Sequence, residues 1–155
     1  MLELNYSYEE SKKILELGYD FSSVCTKFEF RENEEATTLT FLYSCGEIMT
    51  MWNPRMSEPY SYYLKSSPAS GIIPLIPKAA LEACLPFKVG IDARYFRKFY
   101  KTTYSEEEFE VYQAGVNELE SNAVIFSSSS IYEMFTWLHE NYPEELKKKF
   151  DEVMA

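Results

Sequence analysis

Thr37-Thr38-Leu39-Thr40-Phe41-Leu42-Tyr43 is the stretch that decides the fold. Threonine is stiff at its first side-chain torsion, and aromatic rings pack well on a pleated surface, so the run favours a strand over a helix. Upstream, Lys27-Phe28-Glu29-Phe30-Arg31 alternates apolar and charged residues, as a strand with one wet face does. The polar Asn33-Glu34-Glu35 between them reads as a turn. Downstream, Cys45-Gly46 supplies a second turn, and Glu47 to Trp52 returns antiparallel. Three strands in this order form a meander.

A helix precedes the meander. Ser7-Tyr8-Glu9-Glu10 fits a capping box, in which the Ser7 hydroxyl accepts the Glu10 N–H and the Glu10 carboxylate reaches back. Tyr8, Ile14, Leu15 and Leu17 make an apolar stripe, and Gly18 ends the helix because glycine takes the left-handed cap conformation. After the meander, Pro54, Pro59, Pro68 and Gly71 punctuate residues 54–71, which read as a long irregular segment with room for a short edge strand near Tyr60 to Leu64. Pro77 then sits well in the first turn of a helix that runs to Leu85, and Pro86 stops it.

A second β region follows. Val89, Ile91 and Ala93 alternate with Gly90, Asp92 and Arg94, and Glu106 to Tyr112 reads as the next strand. The chain closes on helices. Ser130-Ile131-Tyr132-Glu133 is a second capping box, Ile131, Met134, Phe135 and Leu138 are spaced to face a core, and Pro143 opens a last helix to Met154. These pieces predict one α+β domain over residues 1–155. Its core is a curved antiparallel sheet of about five strands, packed by two or three helices, with a further C-terminal helix.

Composition narrows the function. The chain has 155 residues, is 46% hydrophobic and 26% charged, and carries a net charge of −10, so it is globular and ill suited to general phosphate-backbone binding. Its three cysteines (Cys25, Cys45, Cys84) match no zinc or thioredoxin spacing and read as reduced, buried thiols of a cytoplasmic protein. The N-terminus lacks a basic segment followed by an apolar core, and no run of apolar residues is long enough to span a membrane. The sole histidine, His139, lies near a predicted helix end, where the helix dipole explains it without a Cys–His dyad. Glu32, Glu34 and Glu35 lack a calcium-loop spacing and read as a solvated turn. No catalytic residue, metal or cofactor is assigned.

Several motifs follow one another in a familiar order: Lys13-Ile14-Leu15-Glu16-Leu17-Gly18, then Ile76-Pro77 through Leu85-Pro86, then Ser130-Ile131-Tyr132-Glu133-Met134-Phe135-Thr136-Trp137-Leu138. In this order the chain resembles a group of small uncharacterised proteins carried by prophages and mobile elements of gut bacteria. The resemblance covers most of the chain and rests on core and capping residues. It implies a small α+β domain in phage or mobile-element biology and no reaction. The chain departs from the pattern in its extra C-terminal helix and in the length of the 54–71 segment.

Two candidate binding surfaces remain. Trp52, Arg55, Tyr60, Tyr62 and Tyr63 offer the aromatic and arginine content of protein interfaces, against a half-buried edge strand as the structural alternative. Arg94, Arg97, Lys98 and Lys101 interleave with aromatics in the manner of single-strand nucleic-acid binders. The alternative for that run is charge pairing with Glu106, Glu107, Glu108 and Glu110 at hairpin distance. The leading expectation is a non-enzymatic module that binds a host or phage protein. A nucleic-acid role, by binding or by acidic mimicry, comes second, and a small carboxylate enzyme third.

Overall fold

The first helix, α1 (Tyr8–Glu16), starts at the Ser7 capping box. Ser7 Oγ accepts from the Glu10 N–H at 3.2 Å, and Glu10 Oε1 accepts from the Ser7 N–H at 3.3 Å. A computed structural model describes residues 4–32, 35–45, 48–63, 71–89, 94–101, 106–113 and 123–155. The chain divides into two units, residues 1–80 and 81–155. Gly18 takes φ +103°, the left-handed conformation that lets the chain leave α1 and turn toward the sheet.

In the first unit the meander forms as the strand periodicity predicts. It comprises β1 (Lys27–Glu32), β2 (Glu35–Cys45), β3 (Ile48–Asn53) and β4 (Glu58–Tyr63). A short strand, β5 (Ile72–Pro74), returns beside β1, giving an open, fully antiparallel five-stranded sheet of order β4-β3-β2-β1-β5. Phe28 sits directly across from Leu39, and both are fully buried with Met51. Fully burying one such side chain contributes about 1.5–3 kcal/mol.

On the other face, α1 lies against β5 and is fastened to β1. Arg31 bonds Glu9 at 2.7 Å and Glu29 at 2.6 Å, and its guanidinium lies 4.1 Å from the centre of the Tyr8 ring. The buried side of α1 holds Ile14 and Leu15, as its stripe predicts, and also Ser11. Ser11 is tolerated there because its Oγ accepts the Ile76 N–H at 3.2 Å, so the buried hydroxyl is not left unpaired. Tyr6 and Ile76 join the two ends of this unit through a backbone bond of 2.8 Å.

The helix α2 (Lys78–Ala83) runs across the boundary between the units. In the second unit, β6 (Lys88–Val89), β7 (Arg94–Lys101), β8 (Glu106–Gln113) and β9 (Ala123–Ser128) form a four-stranded antiparallel sheet in chain order. The helices α3 (Ile131–Asn141) and α4 (Pro143–Met154) complete it. Phe109 and Val111 of β8, Met134, Phe135 and Leu138 of α3, and Leu146 and Phe150 of α4 are buried. α3 lies against β8 and β9, and α4 lies against α3. No described helix is long and apolar enough to cross a membrane.

The α+β class, the antiparallel sheet of five strands and the C-terminal helix match the sequence reading. Three features differ. A second sheet exists, and β9 occupies a stretch read only as a lead-in to α3. The irregular reading of 54–71 gives way to a turn at residues 54–57 followed by β4 through Tyr63, with residues 64–70 outside the described residues. The strand read from Val89 to Ala93 begins in β6, but residues 90–93 also lie outside the described residues.

Candidate functional site

Face assignment in the first sheet follows from register, because successive strand positions alternate sides. Trp52 lies across from Thr40 on β2 and Pro59 on β4, whereas Met51 lies across from Phe41 and Tyr60. Trp52 therefore occupies the face opposite to that of buried Met51. α1 reaches the β1–β5 side of Trp52's face and leaves the β2–β4 side exposed. There Trp52 is 40% exposed, Tyr43 61% and Ile48 38%. Thr38, Thr40, Pro59 and Ser61 are also exposed on this side. These positions are uncharged, and Lys27 and Glu29 of β1, across from Thr40 and Thr38, continue the same face with charge. Thr50, between Tyr43 and Ser61, is buried and shares a 3.3 Å hydrogen bond with Ser61.

A bulge builds this face. Phe41 pairs with Met51, but the next pairing is Tyr43 with Thr50, so Leu42 is an extra residue on β2. Without the bulge, Leu42 would follow Thr40 on the Trp52 face. With it, Tyr43 does. Neither Tyr43 nor Ile48 was a candidate from sequence, because a one-residue register shift leaves no mark in hydrophobic periodicity.

The first predicted cluster is split by the sheet. Trp52 and the Tyr63 position lie on one face, and Tyr60 and the Tyr62 position on the other. Tyr60 is 45% exposed. Arg55 sits in the turn at residues 54–57, where its N–H donates to Asn53 Oδ1 at 3.0 Å and its guanidinium pairs with Glu35 Oε2 at 2.9 Å. Glu35, read from sequence as part of a solvated turn, thus opens β2 and anchors the far turn. Both partners are more than half exposed, so the pair adds little stability.

The second cluster lies on β7. Arg97 is directly across from Glu110, and Lys101 is directly across from Glu106. Lys98 is across from Phe109 and Arg94 across from Gln113. Alternation divides the four basic positions between the two faces of the sheet, two and two. That register supports cross-strand charge pairing at two positions and does not gather the four cations into one row.

The thiols and the histidine are placed as follows. Burial, and next Asp20, push the Cys25 thiol up to about 12. Burial pushes the Cys84 thiol up to about 11, against the opposing pull of Lys149. Both stay protonated at neutral pH and so are poor nucleophiles. Cys45, read from sequence as buried like the other two, is exposed, because it closes β2 at the edge of the β2–β3 turn. His139 lies in the last turn of α3. Among the described residues no three His, Cys, Asp or Glu side chains converge to hold a metal ion. No protein-family model, curated protein or solved structure matches the chain.

Proposed function

We propose that this chain is a non-enzymatic protein-binding module of phage or mobile-element origin, and that it binds through the β2–β4 half-face carrying Trp52. One observation carries the reading: an exposed sheet face on which Trp52 of β3 and Tyr43 of β2 lie diagonal to each other, with Ile48 on the same face. Exposed apolar side chains gathered on one face are a mark of interaction surfaces, and tryptophan and tyrosine are prominent among the residues that dominate binding energy. The origin rests on the sequence resemblance alone. A reducing, cytoplasmic setting fits three free cysteines, two of them buried.

The test is a tagged capture from the native cell, run with and without nuclease, comparing the parent chain with Trp52→Ala. A partner held in the presence of nuclease and lost on Trp52→Ala supports the reading. Capture that survives Trp52→Ala removes this face from the function. Capture abolished by nuclease moves the function to nucleic acid and directs mutagenesis to Arg97 and Lys101.

A further inference from the structure

We draw no further inference here: the strongest candidate, the exposed face of the first sheet on which Trp52, Tyr43 and Ile48 continue into Thr40, Thr38 and the charged Lys27 and Glu29 of β1, carries nothing because nothing in the structure shows what covers it.

Discussion

Raising the pH from 8 to 10 should destabilise the first unit through Cys25. The thiol is buried, and its pKa in the folded chain is about 12 against an ordinary 9.0. Below pH 9 both folded and unfolded chains keep the proton, and the thiol adds no pH dependence. Above pH 9 the unfolded chain releases it and the folded chain does not. The unfolded state then binds fewer protons, so stability falls as pH rises toward 12. At pH 10, one unit above the unfolded value, the loss from this thiol is about 1.4 kcal/mol. Tyrosines and lysines titrate in the same range, so the comparison is between the parent and Cys25→Ala. Both carry Trp137→Phe, so that Trp52 reports on the first unit. Urea unfolding at pH 8 and pH 10 should show the parent losing about 1.4 kcal/mol more than the variant between the two conditions. Cys25→Ala will itself shift stability at pH 8, but that offset cancels in the difference. Parallel losses, equal within about 0.3 kcal/mol, would refute the claim that Cys25 stays buried and protonated in the folded chain.

Three other perturbations follow from the described contacts. Thr37 is buried on β2, and its Oγ1 has no hydrogen-bond partner among the described residues. Thr37→Val should therefore raise stability by about 1 kcal/mol in urea unfolding, since it removes an unpaired hydroxyl at nearly constant volume. Ser128 Oγ donates to Glu133 Oε2 at 2.6 Å and accepts the Ser130 N–H at 3.0 Å, so Ser128→Ala should cost about 1–2 kcal/mol, read as a lower melting temperature. Lys101→Glu places a like charge across from Glu106 and should cost about 0.2–1 kcal/mol, and the swap Lys101→Glu with Glu106→Lys should recover it. Failure of the swap to recover would count against cross-strand pairing at that register.

How far the sequence spoke depended on whether an element is determined locally. α1 was legible because its signal is complete within a dozen residues: the Ser7–Glu10 box, the Ile14 and Leu15 stripe, and Gly18. The meander was legible because Phe28, Leu39 and Met51 stand in period-two runs. β5 was not, since three residues have no strand signal of their own and are extended because β1 pairs with them. β9 was hidden by its serines, which read as helix caps. Two of them do serve α3, but differently from a simple box. Ser130 Oγ accepts the Glu133 N–H at 3.2 Å, while the Glu133 carboxylate takes its bond from Ser128. One residue is thus both the end of a strand and part of a helix cap, and a linear reading assigns it only one role.

The candidate site was half legible. Trp52 was visible as an aromatic among strand residues. Its neighbour Tyr43 was not, because it belongs to β2, and the sequence distance between Trp52 and Tyr43 says nothing of which side of a sheet each takes. Tyr60, next to Pro59 in the chain, falls on the opposite face in register, as does the Tyr62 position. On β7 the sequence shows four cations within eight residues, and only the register with β8 reveals that two of their positions stand across from glutamates.

The extra residue at Leu42 has a consequence for how this strand tolerates the loss of a residue. Leu42 is the residue that faces no partner in the β3 register, so deleting it closes the bulge and leaves Tyr43 across from Thr50 and Cys45 across from Ile48. In a regular strand the same single-codon deletion turns every later side chain to the other side of the sheet. Amino-acid replacement at position 42 also leaves the register of Tyr43 unchanged. The bulge is thus a place where the chain can be shortened by one residue while both faces of the sheet keep their side chains.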